Sequence, residues 1–181
     1  YFGAADALDL RRAHREAERL GLMVELSVRA GVLVHETQKE RGATAVFMGS
    51  QGAEFGDGMV AQRLATDNAR AEFLSFIDDH RDSLPATVVE DLGPAAADLA
   101  RLDELRDQAS ALSAPPGDVI GYFTTMHGKF LVGIGSIASA SSDARLRGDI
   151  TAYLIFLHAK EKTGVERAQL AAAFSSDAYS P

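Results

Sequence analysis

The chain has 181 residues, 46% of them apolar, which is enough to fill the core of one domain. Its formal charge of −8 lacks the basic footprint that duplex binding needs, so no nucleic acid is expected among its partners, and the absence of cysteine excludes disulfides and thiolate zinc sites. No stretch is long and apolar enough to span a bilayer, and the first residues carry no signal-peptide pattern, so the chain reads as an internal domain.

Residues 4–48 contain no proline, and Leu22, Leu26, Ala30, Leu33, Thr37, Thr44 and Met48 recur at steps of three, four or seven. That spacing predicts one long amphipathic helix of about 65 Å. Gly49, Gly52, Gly56 and Gly58 end it. A second helix is expected over 59–80, with Leu64, Phe73, Phe76 and Ile77 available for burial. Pro85 opens a short helical turn that Gly93-Pro94 is expected to interrupt, and the pattern resumes over 95–112 through Leu99, Leu102 and Leu105. The run SAPPGD at 113–118 is the clearest linker. A glycine-rich apolar helix follows over 119–140, where Gly133 and Gly135 permit close packing. Ser141-Ser142-Asp143 offers capping oxygens for a last helix over 144–174.

No alternating strand pattern competes with this reading. The expected fold is all-α, an elongated bundle of about four long helices plus one or two short segments, with residues 1–181 as a single domain. The first and last helices are expected side by side, with both chain ends at one pole. A domain inserted between two membrane spans would need that arrangement.

Charge interrupts the apolar pattern in two places. At 100° per residue, Leu26, Leu33, Thr37 and Thr44 fall at roughly 20° to 60° on the first helix, with Glu40 near 0° and Arg41 near 100°. On the last helix Glu161 lies within the stripe of Ile150, Leu154, Leu157, Val165 and Ala168, while Lys160 and Arg167 share its flank with Gly164 between them. Gly42 falls on the far side of the first helix, where it would serve a close backbone approach or a local bend. The plainer account of these charges is inter-helix salt bridging, for example Arg41 with Glu161. The sharper one is an anion site, because a guanidinium fork matches a planar oxyanion. At about 1.5–3 kcal/mol for each charge-assisted hydrogen bond, two or three arginines suffice for the roughly 8 kcal/mol of a micromolar site.

The run VHETQKERGATAVFMGSQG with QRLATD after it, then LDELRDQ, GYFTTMHGKFL and KEKTGVERAQLAAAF in that order, resembles NIT domains over nearly the whole chain. These are all-helical nitrate- and nitrite-sensing input modules of bacterial signal transduction, joined to chemoreceptors, histidine kinases, cyclic-nucleotide enzymes and RNA-binding antiterminators. The resemblance implies a ligand-sensing domain that binds nitrate, nitrite or another small anion through Arg41, Arg106 and Arg167. Glu40, Lys160, Glu161, Gly164 and Glu166 would orient those arginines from behind. It also implies that binding is relayed by helix shifts, that no cofactor or metal is used, and that the domain forms a homodimer attached to an output domain. An extracytoplasmic, periplasmic place in a membrane receptor is expected, with the cytoplasm as the alternative. The competing reading is a ligand-free dimerisation or scaffold bundle whose Glu-Arg pairs only fix register.

An enzyme is not expected. No Glu-x-x-His repeat precedes His35, His80, His127 or His158, and hydrolase, P-loop and zincin signatures are missing. The run GIGSIA at 133–138 mimics a dinucleotide fingerprint but has no strand before it.

Overall fold

The computed structural model describes residues 3–175, which form six helices and no strand. They are α1 (Gly3–Gly49), α2 (Gly56–His80), α3 (Ala86–Ala100), α4 (Leu102–Ser110), α5 (Pro116–Ala140) and α6 (Ala144–Ser175). The all-α expectation holds. Residues 1–2 and 176–181 of the expected single domain lie outside the described residues. Among the described residues no helix is long and apolar enough to cross a membrane.

α1 runs unbroken for 47 residues, about 70 Å at 1.5 Å per residue. Residues 7–19 are exposed, and burial begins at Met23 and continues through Leu26, Ala30, Leu33, Val34 and Met48. α2 and α5 run antiparallel to it. Gln62 of α2 donates to Glu36 while Arg29 approaches Glu72, and on α5 His127 meets Thr37 while Thr124 meets Arg41.

The last helix runs the other way from that expected of a helix returning to the starting pole. Ser142 donates to Glu16, Tyr153 covers Gly31 and Glu161 pairs with Arg41, so both numbers rise together and α6 is parallel to α1. For the described residues, the expectation of both ends at one pole is therefore corrected. α3 and α4 together make one pass, the bundle has five passes, and an odd number leaves the first and last helices codirectional.

The expected break at Gly93-Pro94 is also corrected, since α3 continues through Pro94. A proline inside a helix costs about 3 kcal/mol through the lost N–H and the clash with the preceding turn. Burial offsets it. Val88, Leu92, Ala95 and Leu99 are all buried, and each large side chain contributes about 1.5–3 kcal/mol. α3 lies so close to α5 that a Cβ on Gly133 would overlap the Leu92 side chain. The chain turns instead at Arg101, which lies between the end of α3 and the start of α4.

Two smaller expectations change. Leu64 is exposed, and the core of α2 is Met59, Thr66, Ala69, Phe73, Phe76 and Ile77. Gly42 has nothing within 4 Å of its missing Cβ, so no close approach requires it.

Candidate functional site

Between residues 37 and 41 the buried side of α1 turns polar. Thr37, Gln38, Glu40 and Arg41 are each 4% exposed or less. Groups of this kind stay in a core only if partners replace water. They are divided between two networks, because Glu40 and Arg41 are one residue apart and so diverge by about 100° around the helix.

The first network joins α1, α5 and α6. Arg41 Nη1 donates to Glu161 Oε1 at 2.5 Å and to Thr124 Oγ1 at 3.0 Å, and Arg41 Nη2 donates to Glu161 Oε2 at 3.2 Å. Gln38 Nε2 donates to the same Oε2 at 2.7 Å. The fully buried His127 places Nδ1 3.1 Å from Glu161 Oε2, outside hydrogen-bonding alignment, and Nε2 2.9 Å from Thr37 Oγ1. Burial alone would push the Glu161 carboxyl up, but His127 and Arg41 more than offset it and hold it down at about 2. Burial drives the His127 imidazole below its usual value against the pull of Glu161. Arg41 Nε and Gln38 Oε1 are buried without a hydrogen-bond partner among the described residues.

The second network joins α1, α2 and α4 around Arg106. Its Nε and Nη2 grip Glu40 at 2.8 and 3.0 Å, Nη1 donates to Asp67 at 2.6 Å and to Asp103 at 3.1 Å, and Nη2 also reaches the Arg63 carbonyl at 3.3 Å. These contacts commit all five donors a guanidinium possesses. Burial would lower the Arg106 pKa, but Glu40 and Asp67 raise it.

A third group of cations stands at the surface. Lys160 Nζ donates to His35 Nδ1 at 2.6 Å, and burial, with Arg167 nearby, lowers the Lys160 pKa. Arg167 is exposed, with no hydrogen bond or ion pair among the described residues. Gln38, Phe156, Lys160, Gly164 and Arg167 line a hollow of about 350 Å³. Arg41 lies under Gly164, where a Cβ would be 2.7 Å from its Nη2.

The structure thus brings Arg41, Lys160, Glu161, Gly164 and Arg167 to one place. It does not bring Arg106 there. Three carboxylates hold Arg106 apart from that group, in the second network with Glu40. Glu166 is exposed without a described ion pair, so the carboxylate behind Arg41 is Glu161. Sequence reasoning missed Gln38, Thr124 and His127. The available signal was a lone histidine in the apolar run of α5, beside threonines that read as ordinary helix surface.

The chain is 24% identical over 180 residues to a nitrate regulatory protein of Klebsiella oxytoca, a match covering 99% of this chain and 44% of that relative. Its fold matches the solved structure of the NasR transcription antiterminator with a TM-score of 0.84 at 22% identity, over 97% of this chain and 49% of that one. The chain therefore spans about half the length of each.

These likenesses correct two expectations. An extracytoplasmic place in a membrane receptor does not fit relatives that are a regulatory protein and a transcription antiterminator, since transcription proceeds inside the bacterial cell. Excluding nucleic acid as a partner fails for the same reason. The charge of −8 describes only these 181 residues, whereas the relatives are about twice as long. The family and both relatives are described as sensors or regulators, none as an enzyme. The family model described as nitrate and nitrite sensing matches residues 32–181, which hold every charged group of the first network and of the hollow above it, and the chain belongs to that family.

Proposed function

We propose that residues 1–181 form one all-helical sensing domain that binds nitrate or nitrite at the hollow between α1 and α6, with Arg41 and Arg167 as its ligand-binding arginines. The observation that carries this reading is the contrast in donor commitment. Arg106 has none of its five donors left, whereas Arg41 has Nε unpartnered and one Nη2 hydrogen without a described acceptor. Arg167 stands over the same hollow with its whole fork free of described partners. Lys160 adds charge at the rim, and Gly164, which lines the hollow, leaves beside the buried Arg41 Nη2 the space that a Cβ would take. Arg106 acts as a positioning residue, fixing through Glu40 the turn of α1 that carries Arg41.

Binding would be relayed by a small rotation or axial shift of α1 against α6, since the ligand joins the two helices and only contacts that differ between two states can shift their populations. As in a nitrate regulatory protein, the output would be regulatory. The register-only reading is supported by one observation, the full satisfaction of Arg106, and describes the second network better than the first.

Calorimetric titration of the chain with nitrate, nitrite, formate and acetate tests the proposal. Nitrate or nitrite should release heat with a micromolar to millimolar Kd, and Arg167→Ala should abolish it while the fold, followed by circular dichroism, persists. Arg167 is the better probe because Arg41→Ala would strand a buried carboxylate. No heat from any of the four anions would favour the register-only bundle.

A further inference from the structure

We infer that the hollow takes a second class of ligand besides nitrate, a planar oxyanion that carries a hydrogen, as hydrogen carbonate does, and that Gln38 reads it by accepting that hydrogen. The inference rests on the sensing reading above and deepens it, by naming a further ligand class and the residue that selects it.

Among the described residues four buried side-chain atoms have no hydrogen-bond partner. Two of them face a carboxylate, His127 Nδ1 at 3.1 Å from Glu161 Oε2 and Arg63 Nε at 3.8 Å from Glu40 Oε1. The other two, Gln38 Oε1 and Arg41 Nε, belong to residues three apart on α1 and so on one side of it. Their side chains converge, because Gln38 Nε2 and Arg41 Nη2 both donate to Glu161 Oε2, at 2.7 and 3.2 Å. Gln38 lines the hollow, as does Gly164, against which Arg41 Nη2 lies. Buried polar atoms left unpaired are costly, so this pair calls for a ligand that supplies what each lacks.

Glu161 holds the Nη1 and Nη2 end of the guanidinium and stays there. The adjoining edge offers Nε–H and the second Nη2 hydrogen side by side, which suits two oxygens of one planar anion. Gln38 Oε1 can only accept. Nitrate and nitrite fill the two donors but bring no hydrogen for Gln38. Hydrogen carbonate is also planar and singly charged, presents two oxygens to the same edge, and has an O–H to donate. Arg167, which lines the same hollow, meets either anion by charge. A site that pairs a ligand hydroxyl separates ligands with and without it more sharply than shape alone does.

Displacement calorimetry with sodium nitrate and sodium hydrogen carbonate, at mildly alkaline pH in a sealed cell, tests the inference. Hydrogen carbonate should bind the wild type and displace nitrate. Gln38→Leu should weaken hydrogen carbonate by about tenfold or more while moving nitrate by less than about threefold. If Gln38 only supports Glu161 through Nε2, both affinities will fall alike, and the inference falls with them. A wild type that binds nitrate but not hydrogen carbonate also overturns it, while the sensing reading stands. Binding of hydrogen carbonate without nitrate or nitrite would keep the inferred ligand and overturn nitrate sensing, and uptake of none overturns both. A readout on the wild type guards against a variant that does not fold. The 13C resonance of the Gln38 side-chain carbonyl should move further on saturation with hydrogen carbonate than with nitrate, and equal shifts would overturn the role of Gln38.

Discussion

Arg41 and Arg106 are both buried guanidiniums facing carboxylates, yet substitutions around them should read differently because only Arg41 has neighbours built to leave it space. A Cβ on Gly164 would be 2.7 Å from Arg41 Nη2, closer than real contacts allow. Gly164→Ala should therefore cost about 1–3 kcal/mol, the usual range for overpacking a core. It should also weaken nitrate binding more than it weakens folding, as calorimetry beside a urea melt would show. An unchanged Kd would mean that the anion does not reach Arg41 through this window. Acid provides a second test at the same scale. The unfolded imidazole titrates near 6.5, and His127 lies below that in the fold because burial disfavours its charge. Below 6.5 the unfolded chain takes up a proton that the fold refuses, so stability falls as pH drops, by up to about 1.4 kcal/mol per unit. His35 is lowered too, by burial and by Lys160, and adds a smaller loss of the same sign because it is exposed. Glu161, at about 2 against an ordinary 4.5, adds a separate loss as pH falls from about 4.5 toward 2. Urea melts at pH 7.5, 6.5 and 5.5 should show the first limb, and His127→Gln should flatten most of it. A wild-type stability that is level across these points would refute the assignment.

Among the elements, α3 carries the clearest conflict between local preference and packing. Gly93 has nothing within 4 Å of its missing Cβ, and Pro94 lacks the N–H a helix interior uses. The helix persists through both because Leu92 and Ala95 on either side are buried, with Leu92 wedged against Gly133 of α5. Replacing Pro94 by alanine should restore the missing bond and raise stability by about 1–3 kcal/mol, and Gly93→Ala should add up to about 1 kcal/mol. Destabilisation by both would show that α3 needs a bend at this point. The same element shows what a sequence leaves hidden. Periodicity placed the long helices and their apolar stripes well, since Leu26, Leu33, Phe73 and Leu99 are buried where the spacing puts them. It failed at Gly93-Pro94, where tertiary burial overrides a local signal, and at Leu64, where a half-apolar helix offers two faces and only a neighbour chooses. The site was legible in part for the same reason. Arg41 and Glu161 break an apolar face, which one chain reveals by itself, and their pairing follows from two such breaks. The second network cannot be read that way. Arg106 sits in an ordinary charged helix, and only the fold shows it reaching Glu40, Asp67 and Asp103 at once.

For the molecule as a whole, the parallel course of α1 and α6 makes their relative position the quantity that a ligand between them can change. Two measurements follow it from opposite ends. Nitrate that binds only the folded chain stabilises it by about 2.7 kcal/mol at a hundred times Kd. At roughly 2–4 °C per kcal/mol for a chain of this size, the Tm should rise by about 5–11 °C. Arg167→Ala should remove that rise while leaving the ligand-free Tm nearly unchanged, since exposed side chains without partners contribute within about 0.5 kcal/mol. Far from the hollow, Glu16 and Ser142 touch across the starting ends of the two helices, and the chain has no cysteine of its own. Cysteines placed at 16 and 142 should therefore cross-link through a single defined pair, and saturating nitrate should change the rate if α1 slides or turns against α6. A Tm that rises with nitrate while this rate stays fixed would confine the ligand's effect to the neighbourhood of Arg41. The signal would then have to leave through the Arg106 network on the other side of α1, and Glu40→Gln, which weakens that network without touching the hollow, would be the variant that uncouples binding from output.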